Sequence, residues 1–422
     1  MLPELSIRGP VLPTTAPPDW AGASWVGELL VGDFAAAPAG APLEVPDVGD
    51  YRHVRLLVRE HDRIRGYLTP TLIDGHLDPA ELHAGVAALP PADVTADAPR
   101  AVPISVVLCT RDRPDDLRMA LRSLIGLDYP DFEIVVVDNA PTTSATTDTV
   151  ANIADPRIRV TTEPVPGLSR ARNAGVASAR HDWIAFTDDD VVVDPGWLRG
   201  VARAIGAGGP QVGVVTGPVA TAELRTAAQA WFDRRVSWNK FLLPRVFDIR
   251  RPPPELPLFP FQVGAYGTGA NFTTSRRVLE ELGGFDVRLG AGTPTRGGED
   301  IDFFYRVVVR GHLLAYEPSA LVWHRHRDTL SALETQSVGY GRGLAAWLTK
   351  LTLSPRDLLT GLVAIGRNRR RRGRGGAPAT GEGPDGPDQL DPLPGTDRLL
   401  RLERRSVLGG PASYLAPWLL RE

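Results

Sequence analysis

The chain has 422 residues, enough for one large α/β domain with smaller appendages, and its net charge of -3 gives no global attraction for nucleic acid. A single cysteine, Cys109, excludes an intrachain disulfide and fits a reducing compartment. No run of about twenty apolar residues is present to span a bilayer, and no basic segment followed by an apolar core opens the chain, so a cytoplasmic location is expected.

Residues 1 to about 50 are rich in Pro, Ala and Gly, with Trp20 and Trp25 as the large anchors, and an irregular leader is expected there. From Tyr51 the pattern changes. Val54, Leu56 and Val58 alternate with His53, Arg55 and Arg59, the signature of a half-buried strand, and Ile64 to Ile73 continues it after the His61-Asp62 turn. Pro79 to Leu89 reads as a short helix and Pro90 to Pro103 as a linker. A small N-terminal α+β module over residues 1–100 results.

Ile104 to Cys109 is a continuous apolar run, as expected of a strand covered on both faces. Asp115 to Leu127 carries apolar residues at helical spacing, and Glu133 to Val137 is a second buried strand stopped by Asp138-Asn139. Arg157 to Thr162 gives a third strand, Leu168 to Ala179 a helix and Trp183 to Thr187 a fourth strand. Strands alternating with helices mean a doubly wound, mostly parallel sheet with right-handed crossovers. The loop Thr110-Arg111-Asp112-Arg113-Pro114 after the first strand contains no glycine, so neither a dinucleotide fingerprint nor a phosphate-binding P-loop is present.

The fourth strand drives into three consecutive carboxylates, Asp188, Asp189 and Asp190, followed by a second apolar run. Adjacent anions repel and are costly to bury, so a cation is expected there, and ligands of open α/β sheets bind outside the carboxyl ends of the strands. Oxygen ligation with room for water and phosphate suits Mg²⁺ or Mn²⁺. A solvated acidic turn is the alternative.

Further on, Pro195 to Ile205 reads as a helix, Val212 to Val219 as a strand and Arg276 to Leu282 as a helix. Gly297-Gly298-Glu299-Asp300 opens another helix, and Leu313 to Ala315 and Ala320 to Trp323 are short strands leading to His324-Arg325-His326. The helix start favours ionised carboxylates at Glu299 and Asp300, which plain N-terminal capping explains equally. Residues 331–422 read as C-terminal helices interrupted by a disordered linker at 367–397. The helices carry Leu344, Leu348, Leu351, Leu358, Leu359 and Leu362, with a basic cluster that includes Arg369, Arg370, Arg371 and Arg372. Such a segment is either a peripheral contact for an anionic membrane face or an ordinary packing helix with a solvated charge run.

Seven stretches in order, S-V-V-L-C-T-R-D-R-P, E-I-V-V-V-D-N, G-L-S-R-A-R-N-A-G, F-T-D-D-D, G-T-G-A-N, G-G-F-D and G-G-E-D-I-D-F-F-Y-R, resemble the inverting family 2 glycosyltransferases over roughly residues 103 to 330. The resemblance implies an α/β GT-A fold over residues 101–330 and transfer of one sugar from a nucleotide diphosphate donor, of UDP or dTDP type, to an acceptor hydroxyl, including a lipid-linked one. It implies Asp190 and Asp188 as metal ligands, with Asp188 also a contact to the donor ribose, Asp189 as a donor contact between them, and His324 as a third ligand, with His326 an alternative. Thr110, Arg111, Asp138, Asn139, Arg170 and Asn173 fall where the family grips base, ribose or phosphate. Asp300 falls on the catalytic base, with Glu299 orienting the acceptor. The processive relatives' Q-x-x-R-W motif is missing, which favours a single transfer. A sugar-phosphate nucleotidyltransferase and a non-catalytic nucleotide-sugar-binding protein are the competing readings. The first lacks its glycine-rich loop, and the second has no use for a base.

Overall fold

The computed structural model describes residues 3–12, 16–34, 41–92, 100–236, 241–372 and 396–419. The central sheet is built from β8 (Ile104–Thr110), β9 (Phe132–Asn139), β10 (Ile158–Glu163), β11 (Trp183–Asp188), β13 (Val212–Thr216), β15 (Arg245–Phe247), β16 (Asn271–Ser275) and β17 (Leu313–Tyr316). Their order is β10-β9-β8-β11-β16-β13-β17-β15. The first four strands are parallel, β16 is antiparallel to both its neighbours, and β15 closes the far edge antiparallel to β17. The sheet is therefore mixed and mostly parallel, as expected. Every residue of β9 is buried, because a parallel strand covered on both faces needs apolar side chains in both directions.

Helices α2 (Pro114–Ile125) and α5 (Trp197–Gly208) cover one face. Helices α4 (Leu168–Ser178) and α8 (Glu299–Val309) cover the other, over a core dominated by Phe186, Phe272, Phe285, Phe303 and Phe304. Strand order runs outward from β8 to β10 and then jumps back to β11 on the other side of β8. At that reversal the two flanking loops part, leaving a crevice at the carboxyl ends of β8 and β11.

The expected single strand over Val212 to Val219 is split. Gly217 and Pro218 interrupt it: the proline has no N–H for a ladder, and a Cβ at position 217 would lie 2.0 Å from the carbonyl oxygen of Ala320. The chain leaves the central sheet as β14 (Val219–Thr221) and joins β12 (Val191–Val193) and β18 (Val322–His324) in a small sheet of order β12-β18-β14. This second sheet continues from the acid cluster itself, since Val191 pairs with His324.

The expected irregular leader is corrected by the structure. Residues before 50 supply β1 (Pro3–Arg8) and the long β2 (Ser24–Phe34), which join β4 (His53–Glu60) and β5 (Arg63–Leu68) in a sheet of order β1-β2-β4-β5. A three-stranded ribbon of β3 (Leu43–Glu44), β6 (Leu72–Ile73) and β7 (His76–Leu77) and the helix α1 (Pro79–Ala88) complete the module. Glycines 27 and 32 and inward-facing Glu28 masked the alternation of β2. Glu28 is buried because Arg59 of β4 donates to it at 2.8 and 3.0 Å. The same guanidinium reaches Asp194 at 2.6 Å, tying the module to the end of β12. Val26, Leu57 and Ile64 of the module pack with Ala220, Leu321 and Trp323, so it buttresses the back of the small sheet.

At the other end, α9 (Leu330–Thr352) crosses the start of α8, where Gly298 takes φ +92° and a Cβ would meet the Gly343 carbonyl at 2.6 Å. Residues 367–372 of the linker expected at 367–397 are helical instead. Helix α10 (Pro355–Arg372) continues through the arginines, which as good helix formers carry it on, and α11 (Thr396–Ser406) has already started by 396. The rest of that predicted linker, 373–395, lies outside the described residues. The last expected helix is two, α11 and α12 (Gly410–Leu419), both packed on α9. Among the described residues no helix is long and apolar enough to cross a membrane.

Candidate active site

Thr110 ends β8 and Asp188 ends β11, side by side at the crevice. The three carboxylates diverge from there. Asp189 turns inward, where Thr110 Oγ1 donates to it at 2.8 Å and Arg113 Nη1 at 2.5 Å. Burial pushes its carboxyl up to about 7 against the pull of Arg113. Thr110 and Asp189 thus hold each other across the turn.

Asp190 is 6% exposed. His324 Nε2 lies 3.3 Å from its Oδ1, and Arg327 Nη2 and Arg113 Nη2 lie 3.3 and 3.5 Å from its Oδ2. Burial opposes ionisation, but His324 and the two arginines outweigh it and hold Asp190 well below the usual carboxylate range. The backbone fixes the pair as well: Val191 is paired with His324, and the N–H of Arg325 donates to the Asp190 carbonyl at 3.2 Å.

Asp188 faces the other way. Its side chain is 32% exposed, and Arg172 Nη2 lies 3.6 Å from Oδ1. Burial lifts its carboxyl to about 6, Asp190 adds to the rise, and Arg172 opposes it. The expected three-ligand set of Asp188, Asp190 and His324 is therefore not gathered. Among the described residues no group of three or more His, Cys, Asp or Glu side chains is arranged to hold a metal ion. Repulsion between neighbouring carboxylates and the attraction of Asp188 to Arg172 account for the separation. Asp190 and His324 do converge as a two-donor pair. That suits a hard cation which keeps waters and takes its other ligands from a diphosphate.

Arg172 is the hub of the opposite wall. It is 2% exposed on α4, donates to Glu299 Oε1 at 3.1 Å and to the Gly269 carbonyl at 3.0 Å, and lies over the rings of Phe272 and Phe285. Gly269 returns the connection, since its N–H donates to Asp300 Oδ2 at 2.9 Å. A Cβ at 269 would stand 2.9 Å from Arg172 Nη2 and 3.2 Å from Asp300 Oδ2, so only glycine leaves both contacts intact. Asp300 Oδ1 accepts from the N–H of Ile301 at 2.8 Å, and the carboxylate is partly open to solvent. Glu299, buried beside it, is pushed up to about 7 by burial and by Asp300, against Arg172.

The remaining candidates divide. Asp138 is buried and accepts from Thr146 Oγ1 at 2.9 Å, with burial raising its pKa. Arg111 is exposed and Arg170, on α4, half-buried. The amides of Asn139 and Asn173 are engaged with backbone groups. Asn139 donates to the carbonyls of Glu163 and Val165 and accepts from the N–H of Gly167. Asn173 exchanges two hydrogen bonds with the backbone of Phe285. Asn271, buried behind the crevice, is likewise engaged with Trp197, Pro218 and Ala320. Burial raises the thiol of Cys109 to about 12.

Arg113, Arg172 and Arg327 were not among the expected site residues. In an arginine-rich chain composition cannot flag them.

Residues 105–283 match a family model described as Glycosyl transferase family 2. The chain is 28% identical over 244 residues to pre-mycofactocin glycosyltransferase of Mycobacterium tuberculosis, covering 57% of this chain and 47% of that protein. It is 28% identical over 230 residues to the succinoglycan biosynthesis protein ExoO of Rhizobium meliloti, covering 54% and 62%. The chain thus spans about half the length of the first of these relatives and under two thirds of the second. Among solved structures, the mannosyltransferase PcManGT from Pyrobaculum calidifontis, in complex with GDP-Man and Mn²⁺, aligns with a TM-score of 0.47 at 16% identity over 77% of this chain and 90% of that one. TarS of S. aureus aligns with a TM-score of 0.42 at 15% identity over 58% and 43%.

Proposed function

Residues 105–283 belong to glycosyl transferase family 2, and from that premise we propose that the chain is a metal-dependent inverting glycosyltransferase. It would move one sugar from a nucleoside diphosphate donor, of UDP or dTDP type, to an acceptor hydroxyl. The observation that carries this reading is the pairing of two walls at one crevice: Asp190 with His324 3.3 Å away on one side, and Asp300, held by the N–H of Gly269, on the other.

In this reading Asp190 and His324 hold Mn²⁺ or Mg²⁺, which when bound supplies positive charge to the departing diphosphate. Asp188, the more open of the three carboxylates, would face the donor ribose or the metal site. Asp138 and Arg111 line the nucleotide end, and Arg170 offers a guanidinium to phosphate or base edge. Asp300 takes the proton of the acceptor hydroxyl as its oxygen attacks the anomeric carbon. The nucleoside diphosphate leaves with the bonding electron pair from the opposite face, which inverts the configuration. Glu299, kept beside Asp300 by Arg172, orients the acceptor.

Asp190→Asn is the direct test of the metal pole. Metal stabilisation of a leaving group is worth several kcal/mol and each step of about 1.4 kcal/mol is tenfold, so transfer at fixed Mn²⁺ should fall roughly 10²-fold or more. Retained turnover with unchanged Mn²⁺ dependence would end this reading of Asp190.

The partner surface belongs to the same proposal. Helix α10 exposes Leu359, Leu362 and Val363 and then Arg367, Arg369, Arg370 and Arg371, while Ala364 and Asn368 face inward. This apolar and basic strip supports contact with the cytoplasmic face of an anionic membrane, where a lipid-linked acceptor would be presented. At about 1 kcal/mol per basic residue, changing Arg369, Arg370 and Arg371 to Gln should lower co-sedimentation with phosphatidylglycerol vesicles roughly 10²-fold. An unchanged bound fraction would leave α10 as a packing helix with a solvated end.

A further inference from the structure

We infer that the exposed ridge of Tyr340, Leu344 and Leu348 on α9 holds the hydrocarbon chain of an amphiphilic acceptor with an anionic head, leading the chain away from Asp300. The inference rests on the proposed role of Asp300 as base, and it gives the lipid-linked acceptor of that proposal a track on the protein.

The inner end of the ridge is fixed by glycines. A Cβ at Gly297 would stand 3.5 Å from the Gly339 carbonyl oxygen, and one at Gly298 would stand 2.6 Å from that of Gly343. This turn of α9 therefore sits against the two residues that lead into Glu299 and Asp300. Tyr340 belongs to the turn. Its ring stacks on Phe232, with centroids 6.2 Å apart, and its hydroxyl accepts from Gln336 Nε2 at 3.0 Å. Burial raises that hydroxyl above the usual tyrosine value and the charge of Asp300 adds to the rise, against Gln336, Arg327 and Arg235. The base and two guanidiniums thus lie within electrostatic reach of one phenol, in a residue that stays 38% exposed.

From Tyr340 the ridge follows the four-residue spacing of a helix face through Leu344 and Leu348, 40% and 44% exposed, a length of about 12 Å at 1.5 Å per residue. The faces on either side of it are packed. Gly339 and Gly343 meet the start of α8, while Gly341 lies against the Glu403 carbonyl of α11 and Ala345 against Gly410 of α12. The leucines between them stay open. The ridge ends by Leu353, 61% exposed, where α9 gives way to α10 and its strip of Leu359, Leu362 and Val363. Apolar surface that is continuous from a catalytic crevice to a membrane-facing strip marks a binding surface rather than scattered exposure.

The chemistry of the ridge selects its occupant. Leucine side chains have no polar atom to meet the hydroxyls of a glycan, whereas each methylene of a hydrocarbon chain gains by covering them. At the Tyr340 end the charge is positive. Arg327, paired with Asp190, and Arg235, paired with Glu403, keep side chains 40% and 31% exposed, suited to a phosphate that joins chain to sugar.

Farnesyl phosphate, kept below its micelle concentration, and inorganic phosphate are the probes, each titrated calorimetrically into the full chain with neither donor nor metal present. The parent should bind farnesyl phosphate at least about 100-fold more tightly than inorganic phosphate. Changing Leu344 and Leu348 together to Gln should weaken farnesyl phosphate roughly 10- to 100-fold. Changing Leu359 and Leu362 to Gln should keep that affinity within about twofold, as expected of surface positions off the ridge, while lowering co-sedimentation with phosphatidylglycerol vesicles. A parent that does not bind farnesyl phosphate overturns the inference, as does a Leu344/Leu348 variant that binds it like the parent. Equal losses in the two double variants would mean general adsorption of amphiphiles and overturn it too. So would a parent that is dimeric by gel filtration and a Leu344/Leu348 variant that is monomeric, since a second copy would then cover the ridge. Because no turnover is involved, these outcomes are separate from those of the Asp190 and Asp300 variants, which decide the glycosyltransferase reading.

Discussion

Asp300→Asn should lower turnover by roughly 10² to 10⁴-fold, the usual worth of a positioned general base, while leaving donor affinity unchanged. The reasoning separates geometry from proton transfer. Asparagine keeps an oxygen that can accept from the N–H of Gly269, now 2.9 Å from Asp300 Oδ2, and gives up only the contact of Oδ1 with the N–H of Ile301. It has no basic oxygen to receive the acceptor proton. The competing account treats Asp300 as one more acid at the start of α8, where it interacts with the helix dipole. That account forecasts a stability loss near 1 kcal/mol or less and intact turnover, because an acid favoured only by the helix end does nothing for the reaction. Steady-state transfer assays beside a thermal-shift titration with the nucleotide sugar distinguish the two. Lost turnover with an undiminished ligand-induced shift assigns Asp300 to the chemistry, whereas normal turnover assigns it to the helix end.

What the sequence made legible follows from where information is local. Strands β8, β9 and β11 are apolar over most of their length because helices cover both faces, and the run of Asp188 to Asp190 stands out against them. Pairing across long sequence distances leaves no such trace. Nothing near Asp190 announces that Arg113 and Arg327 will converge on it, or that Asp188 will be drawn off toward Arg172. Asn139 ends a strand where the family grips base and ribose, and Asn173 matches a family motif, so both look like ligand contacts. Their amides are claimed by the backbone of Glu163, Val165 and Phe285, which only the folded loops bring near. Strand β2 was missed for the same reason. Its inward Glu28 is acceptable only because Arg59, 31 residues on, meets it.

Arg172→Met should be the most damaging change to stability, and its cost should grow with pH. Removing one partner of a buried ionic group leaves the others uncompensated, at about 3–5 kcal/mol. Here the abandoned groups are Glu299, Asp188 and the Gly269 carbonyl, and methionine would still fill the space over Phe272 and Phe285. Burial already raises Glu299 to about 7 and Asp188 to about 6 with the guanidinium opposing the rise, so its loss must send both higher. In the unfolded chain these carboxyls titrate near ~4.3 and ~3.9. A folded-state pKa above the unfolded one contributes stability that is complete below the unfolded value and is lost as pH climbs toward the folded one. The deficit of the variant relative to the parent should accordingly be small near pH 5 and widen toward pH 8. Arg172→Lys should fall between them, because a single ammonium cannot span both Glu299 and the Gly269 carbonyl as the planar guanidinium does. Melting curves of the three proteins at the two pH values check this. A loss equal at both would mean that Arg172 acts through its packing on the two phenylalanines, and that the carboxylates of the crevice owe their placement to something else.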